Sequence, residues 1–165
     1  MKVFVDTPGA MRALGGALSE LVRPGDVLLL TGDMGEGKSE FCRGLAQGLG
    51  ITGPVTSPTF TILNVYEEGR LPFHHFDWYR VNGADELVES GLDEQIGGEA
   101  VSAIEWHERA PELLPRDCLE IMISSEGEGR SVSFVPRGAF SLPGLEDMIR
   151  SPGLEDMIRS REETV

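Results

Sequence analysis

The first fifty positions alternate between two patterns of apolar residues. Residues 8–22 and 39–50 carry apolar side chains at about every third or fourth position, which predicts two amphipathic helices. Between them, residues 27–31 (VLLLT) form a short, almost wholly apolar run that is typical of a strand buried on both faces. A glycine-rich loop separates this run from the second helix. The pattern therefore predicts a strand, a loop and a helix in direct succession.

The middle of the chain carries shorter patterns, most of which favour strands. The predicted strands are residues 60–66, 73–77, 100–105, 119–124 and 131–135, and the predicted helix is residues 84–90. Turn signals separate the first two strands and the last two, which predicts two hairpins. At 165 residues, with 40% hydrophobic and 25% charged residues, the chain is expected to form a single α/β unit.

An exact tandem repeat, PGLEDMIRS, occupies residues 143–151 and again 152–160. Nine residues make about two and a half helical turns, so one continuous helix would point the apolar faces of the copies in opposite directions. Pro152 would also interrupt such a helix. We expect a local duplication with a frayed second copy, and a partner-binding tail is the alternative. The predicted division is a domain at residues 1–140 and a C-terminal helix or tail at residues 141–165.

The charge of the chain limits its possible partners. The net charge is −14, and the only lysines are Lys2 and Lys38. No basic cluster is present, which disfavours tight direct binding to nucleic acid and favours a protein partner in any RNA pathway. No apolar run is long enough to span a membrane. The N-terminus predicts a strand instead of a secretory signal, and Cys42 and Cys118 show no disulfide or zinc spacing, so we expect a cytoplasmic protein.

The glycine-rich loop has the sequence GDMGEGKS and matches the phosphate-binding pattern GxxxxGK[ST] in full. Its residues are Gly32, Asp33, Met34, Gly35, Glu36, Gly37, Lys38 and Ser39. Glycines allow backbone N–H groups to converge on phosphate oxygens, Lys38 can reach the β and γ phosphates, and Ser39 can ligate Mg²⁺. Glu36 and Glu40 add negative charge beside this site, so we expect modest nucleotide affinity unless both carboxylates point away.

Hydrolysis also needs an acidic group near the metal and a group that orients water. Asp77, at the end of a predicted strand, is a candidate, although an aspartate there is more often a structural cap. Glu105 ends another predicted strand and is a second candidate. Trp106 could stack on a base or pack in the core. Thr59, in the segment SPTFT, is a candidate γ-phosphate sensor, and an ordinary proline turn is the alternative.

Four words in order, GDMGEGKS, SPTFT, HHFDWYR and IEW, resemble the TsaE (YjeE-type) family of bacterial ATPases required for threonylcarbamoyladenosine biosynthesis on tRNA. The resemblance extends over about residues 3–135. It implies a three-layer P-loop NTPase-like fold with a mixed sheet flanked by helices. It also implies ATP with Mg²⁺ and slow hydrolysis that depends on the partners TsaD and TsaB, with tRNA reached only through them.

The resemblance also implies a role for each matching residue. Lys38 binds phosphate, Ser39 and Glu105 serve Mg²⁺, Asp77 acts near the metal and the γ-phosphate, and Thr59 belongs to a switch-like segment. The resemblance further places Trp106 and Arg130 near the nucleotide. His75, Tyr79 and Arg80 match the family word as well, and they either do chemistry or hold the switch in place. Family members usually have Ala at position 36 and Thr at position 40.

Three other classes of protein could use the same loop. A small-molecule kinase needs an acceptor pocket and usually a lid with several arginines, and no such cluster appears in the sequence. A GTPase is disfavoured because the guanine-reading NKxD word is absent. A nucleotide-dependent switch, in which hydrolysis resets binding to a partner, is the remaining alternative.

Overall fold

The computed structural model describes residues 1–160, which fold into an eight-stranded mixed sheet between two layers of helices. The strands are β1 (Lys2–Val5), β2 (Val27–Thr31), β3 (Leu63–Tyr66), β4 (Phe73–Asp77), β5 (Val101–Glu105), β6 (Cys118–Glu126), β7 (Gly129–Arg137) and β8 (Arg159–Ser160). The helices are α1 (Pro8–Leu18), α2 (Lys38–Gly48), α3 (Ala84–Glu89), α4 (Leu145–Ile149) and α5 (Pro152–Glu155). Short 3₁₀ turns occupy Leu92–Gln95, His107–Arg109 and Pro111–Leu113.

The centre of the sheet is parallel and its flanks are antiparallel. The strand order is β3-β4-β5-β2-β6-β7-β1-β8, and β4, β5, β2 and β6 run in the same direction. The two predicted hairpins are present as the antiparallel pairs β3–β4 and β6–β7. The carboxyl ends of β2, β4 and β5 therefore lie together at one edge, where open α/β sheets commonly bind ligands.

Strand β2 is buried on both faces, as its apolar run predicts. Leu28 and Leu30 belong to the core beneath α1 and α2, whereas Val27 and Leu29 belong to the core on the α3 side. Helices α1 and α2 pack at short range because Gly15 faces the backbone of α2, where a Cβ atom would overlap the carbonyl oxygen of Phe41. This close packing fixes the position of α2 and of the loop before it.

Two predicted elements are shorter than the sequence pattern indicates. Strand β3 begins at Leu63 instead of residue 60, because the N–H of Ile62 donates to the carbonyl of Pro58 at 2.8 Å and closes a turn. Ile62 has a φ of 68°, an uncommon conformation for a β-branched residue. Helix α1 ends at Leu18, and the next residues continue as tighter turns in which Leu21 N–H donates to the Leu18 carbonyl.

The prediction of a frayed second repeat copy is wrong for the residues described. Pro152 does separate the copies, but it begins α5, whose Leu154 is buried. Ile158 is buried as well, and β8 pairs with β1 in antiparallel register. The C-terminal helices pack on α1 because both copies supply apolar side chains to the same core. A domain division near residue 140 stays a prediction.

No helix within residues 1–160 is both long and apolar enough to cross a bilayer.

Candidate functional site

The glycine-rich loop connects the carboxyl end of β2 to the first turn of α2. Gly35 and Gly37 have φ values of 79° and 110°, a left-handed backbone that side chains disfavour. Gly37 precedes α2 and supplies no side-chain hydrogen bond to cap it. The first N–H groups of this helix therefore remain available to an anion, and the helix dipole favours negative charge at the same point.

Lys38 lies buried at the start of α2. Its Nζ donates to the carbonyl oxygen of Gly32 at 2.5 Å and lies 4.5 Å from the centre of the Trp106 ring. Trp106 follows β5 with a φ of 56°, and Tyr79 contacts the same ring at a centroid distance of 5.0 Å. This arrangement places Trp106 against the lysine at the phosphate-binding loop, where it also packs on the edge of the core on the α3 side.

Asp77 and Glu105 end the neighbouring parallel strands β4 and β5 and stand directly opposite each other. The side chains point to the α2 side of the sheet, and Asp77 and Glu105 are 5% and 4% exposed. Asp77 accepts the backbone N–H of Tyr79 at 2.9 Å and the hydroxyl of Thr59 at 3.2 Å. Glu105 Oε2 lies 2.8 Å from His75 Nε2. Two carboxylates therefore meet the start of α2 at one edge of the sheet.

The segment of residues 57–62 contacts the site through Thr59. The Thr59 hydroxyl lies 2.9 Å from Ser57 Oγ and donates to Asp77. Phe60, the next residue, is 82% exposed and packs under the guanidinium of Arg80. A single side-chain hydrogen bond from Thr59 thus joins this segment to the carboxylate of Asp77.

These groups line one open cavity of about 370 Å³. Its walls are Met34, Gly35, Gly37, Lys38, Ser39, Glu40, Ser57, Thr59, Asp77, Tyr79, Glu105 and Trp106. The structure therefore brings together most of the residues predicted from the sequence. It adds Ser57, whose hydroxyl spacing to Thr59 was visible in the SPTFT word but had no assigned role.

Glu36 and Arg130 lie on the other side of the loop. The Glu36 carboxylate accepts the Ser125 hydroxyl at 2.8 Å and lies 3.4 Å from Arg130 Nε. Arg130 also donates to the carbonyl oxygens of Glu36 and Gly35 at 3.2 and 3.3 Å. The carboxylate of Glu36 consequently points away from the main cavity.

A second cavity of about 180 Å³ adjoins this side of the loop. It shares Gly35, Gly37 and Glu40 with the first cavity and is closed by Arg130 and by the residues around Thr7. Glu40 contacts both cavities, but its carboxylate is paired with Arg12 at 2.7 Å and Arg43 at 2.8 Å. Gly32, Asp33, Glu36 and Arg130 are thus the predicted site residues that do not line the main cavity.

Burial shifts the ionisation of two groups near the loop. The pKa of the Cys42 thiol is raised well above its usual value, first by burial and then by the Glu105 carboxylate, and Lys38 opposes this only in part. Burial lowers the pKa of His107, whose Nε2 lies 2.8 Å from the Thr31 hydroxyl at the end of β2. Cys42 is therefore a protonated thiol and His107 a neutral ring at neutral pH.

The donors around the main cavity fit a nucleoside triphosphate with Mg²⁺. Ser39, Asp77 and Glu105 offer oxygen atoms, the ligand type that Mg²⁺ prefers. Lys38 has no carboxylate within ion-pair distance among residues 1–160, so its charge is available to phosphate.

The mixed sheet with this loop between a buried strand and an uncapped helix defines a P-loop NTPase-like α/β protein. A family model described as "Threonylcarbamoyl adenosine biosynthesis protein TsaE" matches residues 5–132. The chain belongs to the TsaE family.

Individual relatives agree with this assignment. The chain is 42% identical over 132 residues to the tRNA threonylcarbamoyladenosine biosynthesis protein TsaE of Bacillus subtilis (strain 168), covering 79% of this chain and 82% of the relative. It is 40% identical over 119 residues to the TsaE protein of a Synechocystis strain, covering 68% and 74% of the two chains. The crystal structure of YdiB from Bacillus subtilis superposes with a TM-score of 0.76 at 36% identity, over 91% of this chain and 94% of that one.

Proposed function

We propose that the protein is a Mg²⁺-dependent ATPase that acts in the threonylcarbamoyladenosine modification of tRNA. The convergence of Lys38, Ser39, Asp77 and Glu105 on one cavity at the start of α2 carries the proposal. The pathway comes from the names of the relatives, which are tRNA threonylcarbamoyladenosine biosynthesis proteins. A cytoplasmic location is part of the same proposal.

The phosphate chain of ATP binds at the loop. The N–H groups of the loop and of the first turn of α2 donate to its oxygens. In the free protein Lys38 donates to the Gly32 carbonyl. When ATP binds, Lys38 donates to the β and γ phosphates instead, and this replaces one neutral hydrogen bond by two contacts with charged oxygens. Trp106 and Tyr79 cover this end of the cavity and limit the access of water to it.

The carboxylate edge serves the metal and the attacking water. Ser39, with Asp77 and Glu105 beside it, would hold Mg²⁺, and the ion would supply positive charge to the phosphate oxygens. Asp77 and Thr59, already joined by a hydrogen bond, orient the nucleophilic water opposite Lys38. We assign the response to the γ-phosphate to Thr59, and its hydrogen bond to Asp77 supports this assignment.

The ribose and base extend to the second cavity. This cavity adjoins the first through Gly35, Gly37 and Glu40, so a nucleotide with its phosphates at the loop can continue around the first turn of α2. Arg130 lines it and supports the loop carbonyls at the same time. The absence of an NKxD word from the sequence favours adenine over guanine.

The net charge of −14 favours action through a protein partner. We assign this role to a TsaD–TsaB complex, with tRNA engaged only through it. A nucleotide-dependent switch is the second candidate function. Among the described residues, the segment around Thr59 contacts Asp77 through the Thr59 hydroxyl and through the backbone hydrogen bond from Asp77 N–H to the Ile62 carbonyl. ATP would order this segment for docking, and hydrolysis would release it.

Turnover assays test the proposal directly. ATP hydrolysis is measured with and without the TsaD–TsaB complex, for the wild-type protein and for Lys38→Ala. We expect a slow basal rate that the partners raise and that Lys38→Ala abolishes. Equal, partner-independent rates in both proteins would contradict the proposal.

A further inference from the structure

His75 is the buried neighbour of both carboxylates in the site. It lies two residues before Asp77 on β4, on the same face of the sheet, and it is paired with Ala103, two residues before Glu105. The residue is 1% exposed, and its ring stacks on Phe73 at a centroid distance of 5.8 Å. The position of the ring is therefore fixed by the core and does not depend on solvent.

The ring makes one side-chain hydrogen bond, and that bond goes to Glu105. Nε2 lies 2.8 Å from Glu105 Oε2, whereas Nδ1 is buried without a hydrogen-bond partner among residues 1–160. A carboxylate oxygen accepts, so Nε2–H is the donor. No other side-chain hydrogen bond to Glu105 is found in the described chain. The direction of this carboxylate thus depends on a single imidazole.

A transition-metal site made of Cys42, His75 and Glu105 is the competing interpretation. Their ligand atoms lie within 4.8 Å of one another. Two ligands of a tetrahedral zinc ion stand about 3.3 Å apart. His75 Nε2 and Glu105 Oε2 are closer than that, at hydrogen-bonding distance. The arrangement is that of a supported carboxylate.

We propose that His75 is the positioning residue for Glu105, an inference that rests on the proposed function of the site. Its Nε2–H holds Oε2, and this leaves the other carboxylate oxygen for the cavity that Glu105 lines. His75 touches neither nucleotide nor cation in this scheme. It sets the orientation of a carboxylate that would otherwise rotate among several rotamers, and so it affects the binding of Mg²⁺ specifically.

Two amide substitutions isolate this contact. His75→Gln keeps an N–H group near the place of Nε2, whereas His75→Asn carries the same amide on a shorter side chain that cannot reach Glu105. The affinity for ADP is measured by titration calorimetry over a series of Mg²⁺ concentrations and without Mg²⁺. We expect His75→Asn to raise the Mg²⁺ concentration for half-maximal effect about tenfold. We expect His75→Gln to stay close to the wild type, and both variants to bind Mg²⁺-free ADP as the wild type does.

Cys42→Ala is the control for disturbance of the packing, because it changes a buried side chain beside the same pair without removing the hydrogen bond. It should leave the Mg²⁺ dependence unchanged. Equal Mg²⁺ dependence of the Gln and Asn variants would overturn the inference. Glu105→Gln separates this failure from failure of the proposed function: if Glu105→Gln itself leaves the Mg²⁺ dependence unchanged, the metal role of Glu105 is wrong.

A measurement on the wild-type protein covers the case in which His75→Asn does not fold. The buried Nε2–H of His75 should give a slowly exchanging proton resonance in the NMR spectrum, assigned by its loss in His75→Gln. We expect this resonance to shift when Mg²⁺ is added to the ADP complex, and to stay in place when ADP is added alone. A resonance that does not respond to Mg²⁺ contradicts the inference.

Discussion

The two sides of the glycine-rich loop differ in whether their charged side chains are paired. On the cavity side, Lys38 rests on a backbone carbonyl and a ring, and no carboxylate of the described chain pairs with it. On the other side, Glu36 faces Arg130 at 3.4 Å and accepts the hydroxyl of Ser125. The cavity side therefore keeps its charge for a ligand, whereas the other side is satisfied internally and holds the loop in shape.

This difference explains why an acidic residue is tolerated within a phosphate-binding loop. A carboxylate at position 36 would oppose phosphate if it pointed into the main cavity. The hairpin of β6 and β7 supplies Ser125 and Arg130, which draw the carboxylate to the opposite side. Glu40 is neutralised in a similar way by Arg12 and Arg43. Sequence position within the loop is thus a poor guide to which side a charge faces.

The largest effect is expected on the cavity side, from Lys38→Ala. Removal of the one lysine at the loop should lower ATP turnover by at least about 100-fold, because no other cationic side chain among residues 1–160 lines the main cavity. Steady-state turnover and nucleotide affinity are the measurements. Lys2→Ala, which removes the only other lysine at an exposed position of β1, is the matched control and should behave as the wild type. If the Lys38→Ala protein kept more than a tenth of normal turnover, the lysine on the cavity side of the loop would not be the main phosphate-binding charge.

Asp77→Asn should have the next largest effect, about a 10- to 100-fold loss of turnover. The amide keeps the shape and the bond from Tyr79 N–H, but it removes the charge to which the proposed function assigns the metal and the water. Nucleotide affinity should fall much less than turnover, and thermal unfolding should stay near the wild-type temperature. Asp85→Asn, on the exposed first turn of α3, controls for the loss of one negative charge. Equal losses in nucleotide affinity and in turnover would show that Asp77 is a structural cap and has no specific role in hydrolysis.

Arg130→Ala tests the other side of the loop and should lower nucleotide affinity about tenfold, or ~1.4 kcal/mol. The substitution removes two hydrogen bonds to loop carbonyls and leaves Glu36 without its cation, so the loop loses part of its support. Turnover at saturating ATP should change little. Equilibrium binding of ADP measures the effect. An unchanged affinity would show that this side of the loop supports neither the base nor the loop conformation.

The smallest effect is expected from Glu36→Ala, which should alter ATP affinity by less than about twofold because its carboxylate is already paired and turned away. Binding measured at low and at moderate salt is the sharpest form of this test, since an unscreened carboxylate would act mainly at low salt. A marked gain in affinity at low salt would show that Glu36 turns toward the phosphates in solution.

Much of the fold could be predicted because local pattern and tertiary environment agree. The strand, loop and helix of residues 27–48 occur where apolar periodicity places them, and both hairpins are confirmed. The predicted start of β3 was wrong. The turn closed by the hydrogen bond from Ile62 to Pro58 needs a positive φ at Ile62, a conformation that β-branched residues rarely adopt and that a sequence pattern does not predict. The prediction that the second repeat copy is frayed was also wrong. Its sequence is identical to the first, so only its contacts with α1 and β1 distinguish the two conformations.

The composition of the main cavity could also be predicted, but the pairing of its groups could not. Short words in the sequence mark Thr59, Asp77 and Glu105, and the parallel register of β4 and β5 brings the two carboxylates together. The hydrogen bond between His75 and Glu105 joins residues thirty positions apart, so no local sequence pattern predicts it. The same holds for Arg130 and the loop carbonyls. The roles of these residues in catalysis stay predictions.

The two tryptophans of the chain stand in unlike surroundings. Trp78 is fully buried in the core on the α3 side, whereas Trp106 lies partly exposed, 4.5 Å from the lysine that a phosphate would attract. Withdrawal of that lysine changes the surroundings of one indole and leaves the other alone. Under the proposed function the two tryptophans are therefore a pair of optical probes: the emission of Trp78 should report unfolding, and the emission of Trp106 should report occupation of the loop.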